Sequence, residues 1–179
     1  MTTPSPRDRS AEDHATGSGP ASVDLPVLEY LERTLAGTLL PEHRTHMRYP
    51  TAISQTLGFR LVDIGEGIAT IHADSGLDRF TNQQGTIHGG FLTELADAAI
   101  GTACSTLINP GESFTSLNLS ATFIRPFWEG TLIAEARPTH IGSTISHWYC
   151  EIVRGDNQKT IMTATSMVMN LRGDRARGR

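Results

Sequence analysis

From residue 113 to residue 171 the chain carries four consecutive runs in which apolar and polar residues alternate, with no helical period among them. The runs are Ser113–Ile124, closed by Arg125-Pro126; Thr131–His140, ending at Ile141-Gly142; Thr144–Arg154, followed by the turn Gly155-Asp156-Asn157-Gln158; and Thr160–Leu171. In the last run Ile161, Thr163, Thr165, Met167 and Met169 share a face. Period-2 alternation marks strands with one face on a core, and short turns between the last three make an antiparallel meander. Such a sheet needs a cover for its apolar face. His88–Leu107 supplies it: Phe91, Leu92, Leu95, Ala96, Ala99, Ile100 and Ala103 form a broad apolar face rich in small residues, suited to a helix buried on most sides. Asn109-Pro110-Gly111 ends this helix.

Upstream, Phe59–Ile64 and Ile68–Ala73 alternate around Gly65-Glu66-Gly67, a hairpin signal, and Ala52–Leu57 reads as a short helical turn stopped by Gly58. Residues 74–87 are polar and Gly-containing, a loop. The order is thus two strands, one long buried helix and four long strands, an α+β class. Residues 1–22 contain no Ile, Leu, Val or aromatic residue and read as a disordered tail. Residues 23–49 read as an extra N-terminal helix and linker, with Asp24 as N-cap, Pro26 in the first turn, Leu28, Leu31, Leu35 and Leu39 on one face, and Pro41 as the stop. The main domain spans 50–171, and 172–179 form a basic C-terminal tail expected to fray.

Charge and cysteine content exclude several classes. A net charge of -4 gives no electrostatic footprint for nucleic acid or an anionic membrane surface. No apolar run approaches the roughly 20 residues of a bilayer span, and the N-terminus lacks the apolar stretch of a signal peptide. Cys104 and Cys150 cannot make a disulfide framework and read as small buried residues. The chain is expected to be cytoplasmic. His43-x-x-His46 has helical metal spacing, but no third ligand accompanies it in a motif, so no metal site is read there.

The densest chemical signal is Asn82-x-x-Gly85-x-x-His88-Gly89-Gly90, followed by Leu95-Ala96-Asp97. The loop runs into the N-terminus of the buried helix, where free N–H groups and the helix dipole can polarise a carbonyl. Glycines at 89 and 90 remove the Cβ atoms that would keep a substrate off the backbone, as a backbone oxyanion hole requires. The same glycines also suit a loop that merely turns tightly into a helix. Asp97 sits among apolar residues about two turns in, either on a wet edge with Glu94 or in a cleft where desolvation would raise its pKa and favour general-base work.

Asn82, His88-Gly89-Gly90, Leu95-Ala96-Asp97 and the strand-closing Arg125-Pro126 together resemble the PaaI-like branch of the hotdog-fold acyl-CoA thioesterases, over roughly residues 50–171. The resemblance implies a hotdog fold, a long antiparallel sheet wrapped around one central helix. It implies hydrolysis of an acyl-CoA (or acyl-carrier) thioester by a homodimer or tetramer with active sites shared between protomers. It also implies roles: Asp97 as general base or nucleophile, the Gly89 N–H as oxyanion donor next to His88, and Asn82 and Ser116 placing water or substrate. Gly90, Arg125, His140, Gly142 and Ser143 are the candidates for substrate contacts. Asn118 stands where the family often has a carboxylate, and Ser143 where it often has an Arg. No cofactor, nucleic acid or membrane partner is implied. Two other readings keep the fold: a dehydratase or hydratase, whose His and carboxylate settings are not found here, and a non-catalytic acyl-CoA binding module. An α/β-hydrolase would need a G-x-S-x-G elbow and a parallel sheet, and the sequence has neither.

Overall fold

The computed structural model describes residues 22–76 and 78–176. The tail reading of residues 1–22 therefore falls, except for Ser22, outside the described residues. In chain order the elements are β1 (Val23–Asp24), α1 (Val27–Leu35), β2 (His43–Arg44), α2 (Ala52–Leu57), β3 (Phe59–Gly65), β4 (Ile68–Ser75), α3 (Gly89–Ser105), β5 (Ser113–Phe123), β6 (Gly130–Ile141), β7 (Ile145–Arg154) and β8 (Thr160–Leu171). A 3-10 turn at Gly173–Ala176 follows, so the segment after the last strand keeps local structure through 176.

β3 to β8 form one antiparallel sheet in the order β3-β4-β6-β7-β8-β5, bent around α3. This is the expected hotdog arrangement. The strand after the helix, β5, is placed beyond β8 at the edge, because β4 takes the place beside β6.

Small residues make the wrap possible. Ala96, Ala99 and Ala103 of α3 are fully buried, and so are Ala69, Ala73 and Ala134 on the sheet, so helix and strands approach closely. Larger side chains, Leu95, Ile100, Leu132, Trp148, Ile152 and Met162, fill the remaining space. The Trp148 indole N–H donates to Ser146 Oγ at 2.8 Å, which satisfies the one polar atom this ring brings inside. Cys104 and Cys150 are free and buried, and burial pushes both thiols up to about 12.

In β8 the inward face is Met162, Ala164, Ser166 and Val168, whereas Thr163, Thr165, Met167 and Met169 lie on the outer face. Ala and Ser at 164 and 166 leave room for α3, and Ile161, at the start of the strand, is buried as well.

The N-terminal segment differs from its sequence reading. Asp24 does not cap α1. It lies in β1, which pairs in parallel with His43–Arg44, the Val23 N–H donating to Glu42 O at 2.9 Å and the Leu25 N–H to Arg44 O at 2.8 Å. Pro26 occupies the N-cap position with no side-chain cap. α1 ends at Leu35, before Leu39 and Pro41, because Gly37 takes a φ of 66° that breaks the helical run. Val27 and Leu31 bury the inner face of α1. On the outside Glu29 and Arg33 pair at 2.7 Å, an i,i+4 contact of about 0.2–0.5 kcal/mol.

Candidate active site

Residues 82–88 deliver the chain into α3 through a self-bonded loop. Asn82 Oδ1 accepts from the Gln84 N–H at 2.8 Å and the Thr86 N–H at 3.3 Å, and its Nδ2 donates to Thr86 Oγ1 at 2.8 Å. Gly85 supports the same turn at a φ of 78°. The His88 N–H donates to Phe80 O at 2.7 Å, which fixes the last residue before the helix.

His88 is the N-cap of α3. Its Nδ1 accepts from the Gly90 N–H at 2.9 Å, and its carbonyl accepts from the Phe91 and Leu92 N–H groups at 3.0 and 3.3 Å. Of the donors at this helix start, the Gly89 N–H makes no hydrogen bond among the described residues. An unpaired N–H at the positive end of a 17-residue helix is a ready donor for a carbonyl oxygen that gains negative charge. A Cβ at Gly89 would meet the Phe123 ring at 3.0 Å, and one at Gly90 would meet His88 Nδ1 at 3.0 Å. A side chain at either position would press on a neighbouring ring, so both glycines keep the helix start open. Phe123 had no chemical signature in the sequence; its role as a wall over Gly89 follows from the sheet order that puts β5 at the edge.

Asp97 lies two turns along α3, half-buried, and Ser116 Oγ on β5 reaches its Oδ1 at 3.5 Å. Burial pushes the Asp97 carboxyl above the ordinary carboxylate value, and the long Ser116 contact offsets part of this. Glu94, one turn earlier on the same strip, is also raised, by burial first and by the nearby Asp97 charge second. The two alternatives for Asp97 thus merge: it shares a partly exposed strip with Glu94, and that strip is dry enough to disfavour the charged form. The β5 ladder shifts register between Ser116 and Asn118, a bulge beside the carboxylate. Leu117 falls in the gap, and Asn118 beside it stays in register with Met167, its Oδ1 accepting from the Met167 N–H at 2.8 Å. At the position where a carboxylate was noted as common, this chain spends the side chain on its own sheet.

The remaining predicted residues divide between two places. Asn82, Gly89 and Arg125 line one cleft of about 370 Å³ together with Phe123. Arg125 Nη1 donates to Thr160 O at 2.6 Å and the residue is otherwise exposed. Gly142 and Ser143 line a different cleft beside Cys104 and Leu107, at the other end of α3. Along the axis the two places are about 22 Å apart. Gly142 is demanded by the β6–β7 turn, where a Cβ would collide with the Ile145 carbonyl. His140 stands against His147 on the exposed side of the same strands. Arg172 donates to Ser143 O at 2.9 Å and to Glu112 Oε1 at 2.7 Å, so a cation from beyond β8 stands at the turn whose own sequence lacks one. His43, considered above for metal, instead accepts from the Leu40 N–H at 3.1 Å.

The thioesterase superfamily model matches residues 84–161, the stretch from the glycine loop into β8. The acyl-coenzyme A thioesterase PaaI of Escherichia coli (strain K12) is 31% identical over 111 residues, which cover 62% of this chain and 76% of that protein. A 1,4-dihydroxy-2-naphthoyl-CoA hydrolase from Listeria monocytogenes is 25% identical over 100 residues, 56% of this chain and 80% of its own length. The solved structure of the E. coli PaaI protein of the phenylacetic acid degradation operon superposes with a TM-score of 0.63 at 28% identity, covering 69% of this chain and 87% of that one. No helix among the described residues is long and apolar enough to cross a membrane. With the wrapped helix, the glycine-opened helix start and the Asp97 strip already in place, this chain belongs to the thioesterase superfamily, as a PaaI-like hotdog-fold thioester hydrolase.

Proposed function

We propose that the substrate is an acyl-CoA, hydrolysed to the free acid and CoA with Asp97 as general base or nucleophile and the Gly89 N–H as oxyanion donor. The observation that carries this reading is the unpartnered Gly89 N–H on the same helix as a half-buried carboxylate of raised pKa. The reaction needs little else. A thiolate leaves readily, since an ordinary thiol has a pKa of about 8.5, so the demanding step is attack on the carbonyl. A desolvated Asp97 is a stronger base than a solvated one, and the Gly89 N–H meets the charge that develops on the thioester oxygen. Asn82 acts as a positioning residue, holding the loop so that Gly89 faces the cleft. Ser116, whose Oγ reaches the carboxylate at 3.5 Å, restrains it and holds the attacking water in this reading.

The helix geometry supports the two-chain centre that the family resemblance implies. Gly89 and Asp97 are eight residues apart on one helix, about 12 Å along the axis, far beyond the reach of a single thioester group. Each catalytic centre therefore pairs Gly89 of one protomer with Asp97 of another. Two surfaces support that assembly: the edge strand β5, with Leu117 and Phe123 exposed, and the strip of α3 around Gly90, Glu94, Asp97 and Gly101, which the sheet covers only in part. Arg125, in the Gly89 cleft, and Arg172, at the Ser143 turn, are the cations offered to the CoA phosphates.

A panel of acyl-CoA substrates with detection of the released thiol tests the reading. Turnover of at least one aryl or alkyl acyl-CoA is expected, with no accumulation of hydrated or dehydrated acyl product. Tight acyl-CoA binding with no thiol release across the panel would replace the enzyme reading with the binding-module one.

A further inference from the structure

A third cavity lies at the β3 end of the sheet, opposite the β5 edge that carries Phe123. It measures about 360 Å³ and is walled by Leu31, Leu35 and Leu39 of the N-terminal segment, by Phe59 and Leu61 of β3, and by Ile71 of β4. Thr102 of α3 forms part of its floor. Its polar lining is largely spoken for. Tyr49 donates its hydroxyl hydrogen to Ser105, which donates in turn to Thr102 O at 2.6 Å. Thr51 and Ser54 bond each other at 2.7 Å, Thr34 donates to Tyr30 O at 2.8 Å, and Arg60 is held by Asp74 at 2.7 Å. Burial pushes the Tyr49 hydroxyl up to about 12, which keeps it neutral at the cavity floor.

A cavity whose polar side chains mostly bond one another gives water and polar ligands few groups to bond, and a mainly apolar lining of this kind favours a hydrocarbon. The size falls within the range of small-molecule sites. By comparison with a benzene-sized cavity of about 150 Å³ it holds on the order of 10 carbon atoms. Thr102 is five residues past Asp97, about 140° further around α3, so the cavity opens on a different face of the helix from the catalytic carboxylate.

We propose that this cavity, built by the N-terminal segment 27–61 against β4 and α3, is a binding site for an apolar hydrocarbon group of on the order of 10 carbons, lined by none of the residues assigned to the Asp97–Gly89 centre. The proposal goes beyond the thioesterase reading and does not depend on it. The group could arrive as a free fatty acid or as the acyl tail of a thioester, and the experiment separates the two.

The full chain is titrated with the neutral apolar fluorophore N-phenyl-1-naphthylamine. Saturable binding of one probe per chain is expected, weakened about tenfold or more in Thr34→Phe and in Leu39→Trp, two rim positions where a large side chain fills the cavity without entering the core. Melting curves confirm that each variant is folded, and either variant alone suffices. Absence of saturable binding to the wild-type chain, or unchanged binding in a folded variant, would overturn the proposal. If decanoic acid competes with the probe and the ratio of kcat/KM for decanoyl-CoA to acetyl-CoA is unchanged in the variants, the ligand is the free acid. If that ratio falls about tenfold or more, the cavity takes the substrate's tail. A chain that turns over no acyl-CoA but still binds the probe would contradict the proposed substrate and leave the cavity site standing.

Discussion

Replacing Asp97 with Asn is expected to lower kcat by about 10² or more while leaving the affinity for a non-hydrolysable acyl-CoA analogue nearly unchanged. The amide keeps the size and the contact with Ser116 but has no basic lone pair to take a proton and no carboxylate to attack carbon. The same change is expected to hold or raise thermal stability. Burial raises the Asp97 pKa in the folded chain, so the folded state binds the proton more tightly than the unfolded chain does. The stability due to that proton is fully present below the unfolded carboxylate value and is lost as pH rises through the higher folded value. At neutral pH the folded chain therefore bears the cost of a partly desolvated charge, and Asn removes it. The pH profile has the matching sign: kcat/KM falls on acidification at a pH above the ordinary carboxylate range, and this limb disappears in Asp97→Asn. Stopped-assay kinetics, analogue titration and melting curves across pH check the three parts separately. A variant with near-normal kcat would leave the raised pKa as a consequence of packing alone.

Gly89→Val is expected to lower kcat by about 10²–10³, the usual loss for one oxyanion donor, with a much smaller effect on folding. The three nearest atoms to a Cβ at this position all belong to the Phe123 ring, at 3.0–3.6 Å, so a shift of that side chain by a few tenths of an ångström admits the substitution without touching the backbone. The room the added methyls take is the space in front of the N–H, where the thioester oxygen must sit. Comparing kcat with the melting temperature decides between the two roles of the glycine. A loss of folded protein as large as the loss of rate would make Gly89 a turn residue.

The legible part of this molecule was the part with strong periodicity. The β6–β7–β8 meander and α3 follow from alternation and from the Leu95–Cys104 face, because each element's pattern is repeated over many residues and agrees with its cover. What the sequence hid was non-local. Asp24 has the chemistry of a helix cap, but backbone pairing with the distant His43–Arg44 strand took it instead. The inward face of β8 is marked by Ala164 and Ser166, whose smallness suits a strand packed against α3 and carries no hydrophobic signal of its own. Within the site, Asp97 and Gly89 were visible as residue types at a spacing, and their environment, a dry strip and an unpaired N–H, needed coordinates. Arg172 against Ser143 joins residues 29 positions apart, and the N-terminal cavity joins five elements; neither leaves a local signature.

The central claim is that each active centre combines Gly89 of one protomer with Asp97 of its partner. Mixing the two inactive variants tests it directly. Asp97→Asn and Gly89→Val chains are denatured together, refolded in equal amounts and assayed against each variant refolded alone. In a two-fold dimer with shared centres, a mixed pair holds one doubly altered centre and one intact centre. Random reassortment makes about half the dimers mixed, so about a quarter of wild-type activity returns. If both residues served a centre within one chain, every chain in the mixture would still lack one of them. Activity would then stay at the level of the separate variants, and the shared centre would be contradicted.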